Sequence, residues 1–169
     1  MFKKFSVFFI IFLISISFLS TPILSEVNDS SFYFPTNYLY ITSEYGYREL
    51  WGSQNFHNGT DFGAPQGSNI YAISSGFVSH VGFITGYGNT VIIEHNNGYK
   101  SLYAHLDENF LVHVGQKIST SELIAKVGPK YLSNGIQNGY TTGPHLHLTI
   151  FDSNNNTINP LSLNFKKLE

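Results

Sequence analysis

Short hydrophobic runs that alternate with polar residues extend along most of the chain, and this pattern favours β-strands over helices. The clearest run covers residues 143–150, where His145, His147 and Thr149 alternate with apolar residues. Successive side chains of a strand point to opposite faces, so these three polar side chains share one face and the apolar ones enter a core. Short strands are predicted at residues 38–41, 70–73, 77–81, 89–95, 99–105, 114–118, 123–128 and 146–151.

Turn signals separate these runs in the way expected of neighbouring strands. Asn97-Gly98 lies between two of the predicted strands, and Asn-Gly is a strong signal for a tight β-hairpin. Residues 43–48 and 50–56 are predicted as loops, and residues 129–142 as a long polar loop of the kind that often walls a site. Because no long segment shows the 3.6-residue period of a helix, an all-β fold is expected.

Composition narrows the class of protein further. The chain has 169 residues, of which 42% are hydrophobic and 12% charged, which suits one domain with a real core after removal of a targeting segment. The formal net charge of −2 gives no support to nucleic-acid binding. The absence of cysteine excludes a disulfide framework, a thiolate nucleophile and a cysteine-based zinc site.

The N-terminal segment has the pattern of an export signal. Two lysines precede an almost wholly apolar run at residues 5–19, so residues 1–25 are predicted to be a signal peptide. The apolar run is marginal for a membrane span, which needs roughly twenty residues, but an uncleaved anchor through residues 5–24 is the alternative. In both cases the remainder, beginning with a lead segment at residues 26–40, is expected in the periplasm or extracellular envelope, as a monomer.

Histidines and one aspartate form the candidate chemistry. His57 and Asp61 are four residues apart, His105 ends one predicted strand, and His145 and His147 lie on another. Taken alone, a His-x-His strand is more often a pair of solvated histidines, and His-x-x-x-Asp is more often a capped turn. The combination in this order is far rarer and predicts a metal site. Without thiolates, zinc takes nitrogen and oxygen ligands, and a catalytic zinc usually has three protein ligands and an open position for water.

At these residues the chain resembles the lysostaphin-like (LytM-type) zinc endopeptidases of bacterial peptidoglycan. The resemblance runs from about residue 41 to residue 160. The matching stretches are SEYGYR at 43–48, HNGTDFGAP at 57–65, YGNTVIIEH at 87–95, YAHL at 103–106 and TGPHLH at 142–147. The peptidase domain is accordingly placed at residues 41–165, followed by a short tail at 166–169.

The resemblance implies both a fold and a reaction. The implied fold is an antiparallel β-sandwich or barrel-like core with an open groove walled by loops. The resemblance further implies that His57, Asp61 and His147 bind one zinc ion (Zn²⁺) per chain, and that His105 and His145 act on the water and the transition state. The implied reaction is hydrolysis of peptide crosslinks between peptidoglycan stems by zinc-activated water. Since no His-Glu-x-x-His motif is present, the two catalytic histidines are the groups placed for acid–base work, and their roles stay open.

Other polar residues receive weaker interpretations. Arg48 is a candidate for binding a substrate carboxylate, although a surface ion pair is the more ordinary role for such an arginine. Asn89 is a candidate groove residue, although a turn or structural role is more ordinary. His80, His95 and His113 lie outside the metal motifs and are expected not to bind metal.

Three alternatives fit the sequence less well. A degenerate member of the same fold, which would bind cell wall or activate a partner enzyme, typically lacks metal ligands, and all three are present here. Residues 75–78 and 114–118 are similar to the halves of biotinyl or lipoyl carrier domains, but no lysine lies at a fitting hairpin tip between them. A zinc D-Ala-D-Ala carboxypeptidase has a wider His–Asp spacing and a Glu-x-x-His motif. The chain departs from the lysostaphin-like pattern at Thr149, where an acidic residue is common, and in its longer 129–142 loop, which concerns groove shape and substrate choice.

Overall fold

The structure is a computed structural model that describes residues 31–50 and 52–168. The predicted signal peptide at residues 1–25 lies outside the described residues. Among the residues described, no helix is long and apolar enough to cross a membrane. The strands are β1 Phe32–Tyr33, β2 Ile41–Ser43, β3 Gly46–Leu50, β4 Ser53–His57, β5 Thr60–Phe62, β6 Asn69–Tyr71, β7 Gly76–Ile84, β8 Gly88–His95, β9 Lys100–Ala104, β10 Lys117–Ile118, β11 Leu123–Lys126, β12 Leu146–Phe151, β13 Thr157–Ile158 and β14 Phe165–Lys166, with a 3₁₀ helix at Pro160–Ser162 before β14.

An antiparallel sheet of eight strands organises the molecule. Its order is β10-β7-β8-β9-β12-β5-β2, and β13 pairs with β12 at the side of this path. Every pairing in this sheet is antiparallel, which confirms the predicted all-β antiparallel class. The Asn97-Gly98 turn connects β8 to β9, and Gly98 has φ +83°, a conformation that glycine adopts without steric cost.

Strand β12 contributes residues to the core from one face and candidate site residues from the other. Leu146, Leu148 and Ile150 are fully buried on one face. His147 and Thr149 alternate with them and are also buried, so the second face is covered and not solvated. The alternation read from the sequence is therefore correct, and the strand has the bounds that were predicted.

A hairpin in the region before His57 corrects the sequence analysis. Residues 43–48 and 50–56 were predicted as loops, but β3 and β4 pair there as a separate two-stranded sheet. Both strands are largely exposed, so they lack the half-buried alternation by which strands are recognised. The Phe56 ring contacts the rings of Tyr45 and Tyr47, with centroids 5.2 and 5.0 Å away. The strand predicted at residues 38–41 was also misplaced, because β2 begins only at Ile41.

The two ends of the described chain meet beside the main sheet. Strands β1 and β14 pair in parallel, with Phe32 opposite Phe165. Phe32 is buried and meets the rings of Tyr99 and Phe165 edge-on, at centroid distances of 5.7 and 6.4 Å. Part of the segment expected as a lead at residues 26–40 thus packs against the core.

Candidate metal centre

The pairing of β12 with β5 brings three candidate ligands together. His147 on β12 lies directly opposite Asp61 on β5, and His57 ends the neighbouring strand β4. Gly59, between His57 and Asp61, makes this approach possible. A Cβ atom at Gly59 would lie 2.5 Å from the Leu148 carbonyl oxygen and 2.6 Å from the nearest atom of the His147 ring. Any larger residue at position 59 would push the turn away from β12.

The three side chains direct one ligand atom each toward a common point. Asp61 Oδ1 lies 3.2 Å from His57 Nε2 and 2.8 Å from His147 Nδ1, and the two nitrogens are 3.1 Å apart. A tetrahedral zinc site with bonds of roughly 2.0 Å has ligand–ligand edges of about 3.3 Å, close to these distances. All three residues are buried, and they form the one group of three such side chains in residues 31–50 and 52–168 that can hold a metal ion. His80, His95 and His113 lie outside this group.

The outer hydrogen bonds of the two imidazoles fix which nitrogen faces this point. The Nδ1–H of His57 donates to the Glu44 carbonyl oxygen at 2.8 Å. His147 Nε2 lies 2.9 Å from Thr149 Oγ1, and this hydroxyl can accept the Nε2–H when Nδ1 binds a metal ion. His57 Nε2 and His147 Nδ1 then carry lone pairs that face each other and the Asp61 carboxylate. Without a metal ion, a proton on His147 Nδ1 bonds to Asp61 Oδ1 at 2.8 Å, and a metal ion would replace that proton and hold all three ligand atoms. The donor set therefore fits zinc, with its ligands oriented by outer partners.

The electrostatics of the cluster maintain the protonation states that metal ligands need. Burial would raise the pKa of Asp61, but contacts with the His147 and His57 imidazoles hold this pKa well below its usual value. Burial lowers the pKa of His147, and Asp61 opposes this effect only in part. Near neutral pH the aspartate is consequently ionised and His147 is neutral.

Two further imidazoles lie beside the cluster. The His105 and His145 ring centroids are 4.7 Å apart, and His145 Nε2 is 3.7 Å from Asp61 Oδ1. His105 follows β9 with φ +57°, so the chain turns there and the strand alternation predicted through residue 105 stops at Ala104. Burial, and then the neighbouring His145 and His147, lower the pKa of His105 to about 3. His105 is therefore a neutral imidazole near neutral pH.

Both of these imidazoles present the same ring atom to the site. The Nδ1–H of His105 donates to the Asn138 carbonyl oxygen at 2.7 Å, and the Nδ1–H of His145 donates to the Gly143 carbonyl oxygen at 2.8 Å. Each Nε2 then carries a lone pair. His57 has the same arrangement, with Nδ1 bonded to a backbone carbonyl, whereas His147 presents Nδ1 to the cluster.

An open groove of about 830 Å³ passes over the cluster. The β3–β4 hairpin forms one wall and the loops around Gly86 and Tyr140 form the other. The lining residues are Thr42, Ser43, Arg48, Glu49, Leu50, Asn55, Phe56, His57, Asn58, Asp61, Thr85, Gly86, Tyr87, His105, Tyr140, Thr142, His145 and His147. The sequence analysis did not single out Tyr87 or Tyr140, although Tyr87 begins one of the matching motifs.

The two candidate substrate contacts lie in different places. Arg48 lines the groove, donates from Nη1 to Ser43 Oγ and has Nη1 3.8 Å from Asp61 Oδ2, while its Nε is buried without a partner. Asn89 is buried and borders a second pocket of about 370 Å³ beyond the groove. Its backbone N–H donates to Asn138 Oδ1 at 2.8 Å. The structure thus places Arg48 beside the candidate ligands and Asn89 in a backbone contact away from them.

Comparison with known proteins gives this arrangement a family. Residues 55–160 match Peptidase family M23. The peptidoglycan DD-endopeptidase ShyB of Vibrio cholerae serotype O1 is 40% identical over 98 residues, which are 58% of this chain and 21% of ShyB. The matched region covers only 21% to 28% of the length of the curated relatives that match first.

Solved structures agree with both the fold and the metal. A zinc-containing peptidase from Vibrio cholerae is 32% identical with a TM-score of 0.68, covering 80% of this chain and 41% of that one. The catalytic domain of lysostaphin from Staphylococcus simulans is 27% identical with a TM-score of 0.61, covering 73% of this chain and 90% of that domain. The family match covers more than half of the chain and includes all five clustered residues. The chain therefore belongs to Peptidase family M23, the zinc metallopeptidase family that its histidine and aspartate motifs predict.

Proposed function

We propose that this chain is a zinc-dependent endopeptidase that hydrolyses peptide crosslinks of bacterial peptidoglycan. The observation that supports this most directly is the convergence of three buried ligand atoms on the floor of an open groove, with two neutral imidazoles beside them. The similarity to ShyB, which is named as a peptidoglycan DD-endopeptidase, favours this substrate class.

In this proposal His57, Asp61 and His147 hold one zinc ion per chain. Bound zinc supplies a polarised scissile carbonyl and a water whose pKa falls to roughly 7. Asp61 supplies the negative charge of the site, and the outer acceptors of the two histidines keep the ligand nitrogens free of protons.

His105 and His145 carry the proton transfers. Each has Nδ1–H fixed on a backbone carbonyl, so each Nε2 is ready to accept a proton from the attacking water. The histidine that takes this proton becomes an imidazolium with Nε2–H, and it then stabilises the developing charge on the carbonyl oxygen or gives the proton to the leaving amine. The imidazolium that forms at His145 lies 3.7 Å from Asp61 Oδ1 and gains stabilisation from that negative charge.

Arg48 is the proposed contact for a substrate carboxylate. It lines the groove, and a guanidinium carries five N–H donors in a rigid fork that suits carboxylates. A substrate of this kind places the protein in the cell envelope, with residues 1–25 as its export signal or anchor, and we propose that it acts there as a monomer.

Digestion of defined muropeptides tests the proposal. Zinc-loaded protein is incubated with a purified crosslinked dimer, with an uncrosslinked pentapeptide stem and with glycan strands, and products are identified by mass spectrometry. The expected result is cleavage of the dimer to monomers, with one new amino group per bond and no new reducing sugar end. Zinc-free protein is the control.

Each other result would reject the proposed activity. Release of only a terminal alanine from the pentapeptide would identify a carboxypeptidase, and new reducing ends alone would identify a glycosidase. A protein that holds about one equivalent of zinc and leaves every muropeptide intact would be a binding member of the fold.

A further inference from the structure

The long 129–142 loop reaches the candidate active site through one fully buried residue, Asn138. We propose that Asn138 is a positioning residue: it holds the His105 imidazole in the tautomer and orientation that leave Nε2 free to accept a proton. This inference rests on the proposed function, because it assigns to the loop the task of preparing an acid–base group.

The contact that carries the proposal joins the ring to the loop backbone. The Nδ1–H of His105 donates to the Asn138 carbonyl oxygen at 2.7 Å, and both residues are buried. A neutral imidazole carries its proton on one nitrogen only, so this bond assigns the lone pair to Nε2. If the Asn138 carbonyl moved away, the proton would be free to occupy either nitrogen.

The Asn138 side chain helps to hold that carbonyl in place, together with the Asn138 N–H, which donates to the Lys130 carbonyl oxygen at 2.9 Å. Its Oδ1 accepts the backbone N–H of Asn89 at 2.8 Å, and its Nδ2 donates to the carbonyl oxygens of Leu106 at 3.0 Å and Pro129 at 3.1 Å. Leu106 directly follows His105, and its own N–H donates to the Asn89 carbonyl oxygen at 3.0 Å. The Asn138 amide therefore ties the loop both to Asn89 on β8 and to Leu106, the residue that follows His105.

This pattern of bonds requires an amide. A single side chain here provides one acceptor and two donors to three buried backbone groups, a combination that only asparagine and glutamine supply. An aspartate of the same shape would keep the acceptor and place negative oxygen beside two carbonyl oxygens. Glutamine is one methylene longer, and the site has no room for it, since a Cβ atom at Gly88 would already overlap Asn138.

The surrounding backbone is held in a conformation that needs such support. His105 has φ +57°, which is uncommon for a residue other than glycine and costs energy unless its surroundings hold it. Its N–H donates to the Tyr87 carbonyl oxygen at 3.0 Å, and its carbonyl oxygen accepts the Gly128 N–H at 2.8 Å. Gly139 packs tightly beside this region, where a Cβ atom would lie 2.5 Å from the Gly86 carbonyl oxygen. Two constraints thus hold the His105 ring: the hydrogen bonds of the His105 backbone and the bond from Nδ1. Asn138 provides the second.

Asn138→Ala separates positioning from general stability of the loop. We expect zinc content to stay near one equivalent, KM on a crosslinked muropeptide to change by less than about threefold and kcat to fall by about 10- to 100-fold, as when a reacting group is displaced by around 1 Å. The matched control is Asn134→Ala in the same loop. Asn134 is exposed, and its Oδ1 accepts only the local Ile136 N–H at 2.9 Å, so kcat should stay at the level of the unchanged protein.

Nitrogen NMR of zinc-loaded protein labelled with ¹⁵N-histidine provides the direct readout. Long-range correlations distinguish a protonated Nδ1 from a protonated Nε2, and His105→Ala identifies the His105 signals by their disappearance. The unchanged protein and Asn134→Ala should show the Nδ1–H tautomer, whereas Asn138→Ala should show a mixture. If Asn138→Ala fails to fold, Asn138→Ser replaces it, since an uncharged hydroxyl fits in the space of the amide and cannot make all three of its bonds.

The outcomes distinguish this inference from the proposed function. A His105 signal that stays purely Nδ1–H in a folded Asn138 variant overturns the positioning role, even if kcat falls. A kcat equal to that of Asn134→Ala overturns it as well. If the unchanged protein cleaves no muropeptide, the proposed function fails, while the tautomer comparison still tests the role of Asn138.

Discussion

Replacing Thr149 by valine tests whether an uncharged hydroxyl orients the metal site. Thr149 Oγ1 accepts the Nε2–H of His147 at 2.9 Å, and Thr149 is fully buried. Valine has nearly the same shape, so the substitution removes the acceptor and leaves the packing almost unchanged.

The size of the effect follows from the two states of His147. With zinc bound at Nδ1, the proton must remain on Nε2, where in the valine variant it has no acceptor; leaving a buried donor unpaired costs about 1–3 kcal/mol. Without zinc, the proton can move to Nδ1 and bond to Asp61 Oδ1, 2.8 Å away. The cost therefore falls mainly on the bound state, and zinc affinity should drop about 5- to 150-fold, since 1.4 kcal/mol is tenfold. This agrees with the roughly 10- to 100-fold loss usual for partners of metal-bound histidines.

Competition with a chromophoric chelator at constant pH measures this loss. Thr60→Val is the matched control, because the Thr60 hydroxyl is equally buried but has no hydrogen-bond partner among the described residues. Its zinc affinity should be unchanged, and Thr149→Ser, which keeps the hydroxyl, should lie close to the unchanged protein. A Thr149→Val protein that binds zinc within about twofold of Thr60→Val would refute the reasoning.

Alanine substitutions should separate proposed ligands from proposed catalysts when zinc content and initial rate are measured on the same samples. The substitutions that should lose zinc, and with it the metal-linked part of the unfolding free energy, are those at His57, Asp61 and His147. His105→Ala and His145→Ala should keep near one equivalent of zinc and lose about a hundredfold or more in rate, and full activity in His105→Ala would contradict its role. Chelation should lower the melting temperature of the unchanged protein reversibly, and much less that of His147→Ala. Burial lowers the pKa of His95 from 6.5, so the unfolded chain binds protons more readily than the folded chain, and stability should fall as pH drops below about 6.5. Urea unfolding should show a smaller loss between about pH 7.5 and pH 5.5 in His95→Gln than in the unchanged protein, and equal losses would exclude this cause.

The strands that are visible in the sequence are those that bury an alternating face. Strand β12 was predicted with its correct bounds because Leu146, Leu148 and Ile150 enter the core at every second position. The β3–β4 hairpin was missed because its stability comes from cross-strand contacts such as the Tyr47–Phe56 ring pair, with centroids 5.0 Å apart. Such contacts depend on register, and register is not expressed in hydrophobic alternation.

The candidate site likewise has features that the sequence reveals and features that only the folded structure reveals. His57, Asp61 and the His145–His147 pair were recognisable as candidate ligands from side-chain identity and spacing, and the family resemblance assigned the third ligand to His147. The groups that orient the imidazoles are mostly backbone carbonyls, of Glu44 and Asn138 for example, and a carbonyl is the same at every residue. Their positions follow from the folded chain alone.

The two histidines of the His-x-His motif differ in which ring nitrogen they direct toward the site. His145 and His147 are identical side chains two residues apart, and the alternation of the strand directs both toward Asp61, at 3.7 and 2.8 Å. They differ in the ring nitrogen that has an outer partner: Nδ1 of His145 bonds to the Gly143 carbonyl oxygen, and Nε2 of His147 bonds to Thr149. His147 thus presents Nδ1, the atom nearest its own backbone, within the buried cluster, whereas His145 presents Nε2 beside the groove. If zinc were lost in His145→Ala and kept in His147→Ala, the assignment of His147 as ligand and His145 as proton acceptor would be reversed.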